Sequence, residues 1–166
     1  MTMSSARYKF DELFPPVLEL NSPPLISTMP VENIPTPRYL LGWVMSWGDA
    51  IDHFGRGGDD YQRDPFGYFN RGVLTPNWIK ITENGPASIF RRHPQHICSP
   101  RVMNCPKDGA PPGEDFMKYV IIRIARNSPS QGMSLYEEHK EKIIEAAMEA
   151  INFPAEKRAE LKWYRI

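Results

Sequence analysis

The longest run of β-favouring residues spans 117–126, Met117-Lys-Tyr-Val-Ile-Ile-Arg-Ile-Ala-Arg126, with no glycine or proline in it. Val120, Ile122 and Ile124 alternate onto one face, and Tyr119, Ile121 and Arg123 fall on the other. Apolar residues on both faces predict an inner strand covered on both sides, because a half-exposed edge alternates more cleanly. Downstream, Ser134-Leu-Tyr-Glu137 has the form of a capping box. A helix from there to about Ile151 puts Leu135, Tyr136, His139, Ile143, Ala146, Ala147, Ala150 and Ile151 on an inner arc. Five glutamates, at 137, 138, 141, 145 and 149, line the outer arc.

Upstream, Thr36-Pro37 matches the N-cap and first position of a helix. Over 37–54 a helical period gathers Tyr39, Leu40, Trp43, Val44, Trp47, Ala50, Ile51 and Phe54 on one broad face, and Gly55 stops it. Trp78–Thr82 alternates as a short strand, Asn84-Gly85 signals a turn, and Ala87–Arg91 reads as the return strand. Pro154 opens a last short helix over 154–164. Between these elements, 55–77 and 92–116 read as long loops, a length that is often functional. The pattern predicts an α+β fold. A small, mostly antiparallel sheet of 78–82, 87–91 and 117–126 packs against two main amphipathic helices, 37–54 and 134–151, with long Pro-rich connecting segments.

Composition changes one part of this picture. Seventeen prolines against eleven glycines break the 166-residue chain into short elements and stiff connections. Seven of the prolines fall in residues 1–38, beside the apolar patches Phe10–Phe14 and Val17–Leu20. Residues 1–36 therefore read as a Pro-rich extended arm packed on the body, and 37–166 as a single α+β domain. Lys plus Arg (20) balance Asp plus Glu (20), which removes any global electrostatic case for nucleic acid or an anionic membrane. No apolar run reaches the length of a membrane span, and the first residues lack the pattern of a secretory signal. Two cysteines make no disulfide scaffold, so a reducing, cytoplasmic setting is expected.

Several groups of residues carry chemical possibilities. His93, His96, Cys98 and Cys105 together make an N₂S₂ set of the kind zinc prefers, stiffened by Pro94, Pro100 and Pro106. Their spacing, His-x₂-His-x-Cys-x₆-Cys, matches none of the familiar zinc patterns, and the competing reading is of cysteines that serve as small buried hydrophobes. Arg91, Arg92, Arg101 and Lys107 make the same loop basic, suited to a phosphate or an acidic peptide. No nucleic-acid motif accompanies them.

Ser46, Asp49 and His53 align on one stripe of the expected helix, the residue set of a hydrolase triad. A nucleophile elbow needs its serine at a strand-to-helix turn, and Val44 stands where the first glycine belongs. Gly55-Arg-Gly-Gly-Asp-Asp60 follows a helix, the wrong context for a dinucleotide fingerprint. Asp59, Asp60 and Asp64 lack an EF-hand register. His139 points into the apolar arc beside Ala146 and Ala150, where small residues can leave a ligand cavity.

No catalytic set outweighs its structural alternative. The expectation is a non-enzymatic intracellular protein-interaction module using loops 55–77 and 92–116 as binding surface, with a protein partner and with self-association left open. The rival is a small enzyme or zinc-stabilised domain with a His/Cys site in loop 92–105.

Overall fold

The computed structural model describes residues 9–84, 88–94, 96–97 and 99–166. Among them the strands are β1 (Val17–Glu19), β2 (Pro30–Val31), β3 (Ile34–Pro35), β4 (Tyr39–Ser46), β5 (Arg101–Asn104), β6 (Tyr119–Arg126) and β7 (Lys162–Arg165). Five of them form one antiparallel sheet in the order β1-β7-β4-β6-β5, and β2 and β3 make a separate hairpin. The fold is α+β.

Strand β6 lies inside the sheet, between β4 and β5, as its two apolar faces predict. Val120, Ile122 and Ile124 join Tyr39, Leu41, Trp43, Met45, Val102 and Trp163 in the main core. On the opposite face Ile121 packs with Leu40 and Tyr164, flanked by Val44 and Met103. The segment after β5 folds over that second face. Gly109 lies against the Cys105 sulfur and the Tyr164 ring, and Asp108 pairs with Arg165 at 3.5 Å.

Residues 37–54, expected as one helix, divide into strand β4 and a short helix α1 (Trp47–Phe54). The reason is a coincidence of periods. Tyr39, Trp43 and Trp47 recur every four residues, which suits a helical face and also one side of a strand. Gly42 marks the difference. The register shifts between Leu41 and Gly42, where the backbone passes so close to the Ile122 carbonyl that a Cβ would overlap its oxygen. Ser46 then caps α1, accepting from the Asp49 N–H at 3.0 Å.

Residues 9–13 are also helical, and downstream of α1 lie α2 (Asp59–Arg63), α3 (Pro65–Gly67), α4 (Thr75–Asn84), α5 (Ser88–Arg92) and α6 (Ser130–Ile151), with a π-helical segment Tyr68–Leu74 joining α3 to α4. The expected strands 78–82 and 87–91 are thus helical in α4 and α5; Gly85, Pro86 and Ala87 lie outside the described residues. Trp78 is buried edge-on to Phe90 (5.1 Å), and Asn77 donates to the Ala150 carbonyl at 3.0 Å, so tertiary packing overrides local alternation. Helix α6 buries Tyr136, Ile143, Ala146, Ala147, Ala150 and Ile151 of the expected inner arc, leaves Leu135 and His139 half-buried and buries Ile144 besides; it starts four residues before the capping box and kinks at His139 (φ −118°, ψ 23°). Residues 154–164, expected as helix, are a 3₁₀ stretch over Ala155–Glu160 followed by β7. No helix among the described residues is long and apolar enough to cross a membrane.

Candidate functional site

His93 and His96 share one tight turn, in which the His96 and Ile97 N–H groups both donate to the His93 carbonyl, at 3.1 and 3.0 Å. Cys98 lies outside the described residues. Cys105 sits apart from the histidines, beside Gly109 and Tyr164 on the loop-covered face of the sheet. His96 is on the helix-covered side, where it lines a cavity of about 20 Å³ with Arg123, Arg126, Ser128, Gly132 and Tyr136. The sheet stands between the two. The His96 Nδ1 is buried with no hydrogen-bond partner among the described residues.

Burial pushes the Cys105 thiol up to about 11, and its Sγ donates to the Pro106 carbonyl at 3.3 Å. A zinc ligand is a thiolate, which this environment disfavours. Among the described residues no three His, Cys, Asp or Glu side chains gather as a metal site requires.

The Ser46, Asp49 and His53 stripe changes character. Ser46 does stand at a strand-to-helix junction, contrary to its expected place inside a helix, but with ordinary extended backbone (φ −67°, ψ 158°). Its hydroxyl accepts the Asp49 N–H as a cap. His53 Nε2 contacts the Ile151 carbonyl at 2.6 Å, where α6 ends, and its ring packs on Phe54 and Phe153. The histidine therefore ties α1 to α6 and makes no triad contact with the serine. His139 is at the kink of α6, about one-fifth exposed and 3.7 Å from Glu138.

Segments 55–77 and 92–116, expected as long loops, instead carry α2, α3 and the π-helical stretch in the first and β5 in the second, and they come together. They line a groove of about 330 Å³ formed by Asp64, Phe66, Gly67, Asn70, Arg71 and Thr75 on one side and Ser99, Pro100 and Arg101 on the other. A second concavity shares Asp64, Gly67 and Arg71 and extends to Arg63, Tyr68 and Gly72. The joint between the two walls is Asn70. Its Nδ2 donates to the Val102 carbonyl (3.0 Å) and its Oδ1 accepts from the Val102 N–H (2.7 Å), so the amide occupies the outer edge of β5.

Asp64 organises the other wall, capping α3 through the Gly67 N–H (3.0 Å) and holding Arg71 Nη2 at 3.1 Å. The signal for that cap, Asp64-Pro65, is present in the sequence. Nothing in the sequence pattern singles out Asn70, because it acts through Val102 on a distant segment whose position only the fold supplies, and the pairing of Arg71 with Asp64 seven residues earlier is not marked by it either.

Comparison with protein-family models, with curated proteins and with solved structures finds no match, so function is argued from the chain's own geometry.

Proposed function

We propose that this chain is a non-enzymatic protein-interaction module whose binding surface is the groove where segments 55–77 and 92–116 meet. The observation that carries the reading is the convergence of both segments on one open groove, held by the double hydrogen bond between Asn70 and Val102. An open, mostly polar groove suits an extended partner segment better than a small substrate that must be sealed from water. Phe66 and Pro100 bring apolar surface to its lining, and Arg71 and Arg101 the charge. The residues that resemble catalytic sets are otherwise engaged, Ser46 as a helix cap and His53 at the end of α6.

The test is a groove-filling variant, Ser99→Trp, which blocks the site whatever the partner's charge. Proteins captured by the wild-type chain are purified and titrated calorimetrically against both forms. A direct partner that binds the variant at least about tenfold more weakly, at unchanged melting temperature, supports the module. Direct partners that bind both forms equally would remove the groove from the account.

A further inference from the structure

We propose that the groove takes an extended acidic peptide segment, whose Asp or Glu carboxylates are received by Arg71 and Arg101. The inference rests on the interaction-module reading and names its ligand.

Three of the residues lining the groove and its neighbouring concavity are arginines (Arg63, Arg71 and Arg101) and one, Asp64, is a carboxylate. Arg63 and Arg101 are exposed and have no ion-pair partner among the described residues. Arg71 is bound at a single nitrogen. Its Nη2 meets Asp64 Oδ2, and its side chain is 80% exposed. A guanidinium has five N–H donors in a planar fork, so one contact orients the group and leaves the others for a second carboxylate.

Gly67 lies under that ion pair. A Cβ there would sit 2.6 Å from Arg71 Nη2 and nearer still to Asp64 Oδ2, so an alanine makes these two exposed side-chain ends move from their present positions. Recognition by strand addition is closed at Val102, because the Asn70 amide already takes both backbone groups there. Side-chain charge is what remains, and the charge is positive.

The probe is a fluorescently labelled Glu-Ser repeat peptide, read by anisotropy at about 50 and about 300 mM salt, where screening lengths differ. A Lys-Ser repeat, a phosphoserine peptide and a uridine oligomer run beside it. The expected result is saturable binding of the Glu-Ser peptide that weakens with salt, falls at least about tenfold in Arg71→Glu/Arg101→Glu, and is absent for the Lys-Ser peptide. Gly67→Ala should weaken it with the helices intact by circular dichroism. Equal binding of the Glu-Ser peptide by wild type and double variant overturns the proposal, as does no binding of it at all. Tighter, arginine-dependent binding of the phosphoserine peptide overturns the carboxylate in favour of phosphate, and preference for the uridine oligomer overturns the peptide. If a captured partner is sensitive to Ser99→Trp but not to the arginine reversals, the module stands and its acidic ligand falls.

Discussion

Asn127 and the Tyr39 backbone form a reciprocal pair across 88 residues of chain. The Tyr39 N–H donates to the side-chain Oδ1 of Asn127 at 2.8 Å, and the main-chain N–H of Asn127 donates to the Tyr39 carbonyl at 3.3 Å. Asn127 Nδ2 donates to both the Leu25 and Pro37 carbonyls at 2.9 Å, and the Ser27 N–H donates to the Asn127 carbonyl at 2.9 Å. One fully buried side chain thus ties the Pro-rich segment before β4 to the end of β6.

Removing that amide leaves one buried donor and two acceptors without partners. Asn127→Ala should cost about 3 kcal/mol or more, read as a lower urea midpoint. Asn127→Asp should not restore it, since an ionised carboxylate accepts from Tyr39 but donates to neither carbonyl. Recovery of wild-type stability by the aspartate would show that the two carbonyls find other donors.

Two glycines six residues apart, Gly42 and Gly48, should respond with opposite signs. Gly42→Ala drives a methyl into the Ile122 carbonyl, with its carbon 2.9 Å away, and should destabilise by more than about 4 kcal/mol or prevent folding. Gly48→Ala, in α1, meets only the Ser46 hydroxyl at 3.8 Å and should stabilise by about 0.5–1 kcal/mol. Thermal melts of the pair decide this, and a neutral Gly42→Ala would remove the close strand approach.

Asn70→Ala strips the cap from the outer edge of β5 and leaves the Val102 N–H and carbonyl unpaired. The expected loss is about 2 kcal/mol, accompanied by concentration-dependent self-association as the open edge finds a strand. Sedimentation velocity at two concentrations reads it. A monomeric, equally stable variant would mean that the edge is protected by something other than this amide.

Alkaline pH should unfold the chain in an ordered way. Burial raises Cys105 from 9.0 to about 11, and raises Tyr39 and Tyr164 from 10.0 to about 12. In the folded state these groups stay protonated while the unfolded chain ionises, so the unfolded state binds fewer protons and stability falls as pH rises. That stability is fully present below pH 9.0, begins to fade as the unfolded thiol ionises, and is lost through about 12. Urea midpoints from pH 7 to 11 measure the slope. Cys105→Ala should flatten its first part, between the unfolded and folded thiol values; an unchanged slope would place the linkage elsewhere.

The sequence pattern reveals β6 and α6 because each is long and dominated by one period. It misreads β4, where Tyr39, Trp43 and Trp47 satisfy strand and helix alike, although Gly42 and the Ser46-x-x-Asp49 cap both hint at the change of element. Strands β1 and β7 are four residues or fewer, and their partners lie at the far end of the chain, as in Leu18 opposite Trp163. Such pairings leave no local trace. The candidate groove was legible only as two long loops; the hydrogen bonds from Asn70 to Val102 that join them belong to tertiary structure.

The place of β7 in the sheet carries a consequence for assembly. Without Lys162–Arg165, β1 and β4 would have an empty lane between them, since β7 pairs with both. Two strand edges would stand open there, and the core would lack Trp163. Strand β1 joins the sheet only through β7, so a single four-residue strand closes both edges of that lane.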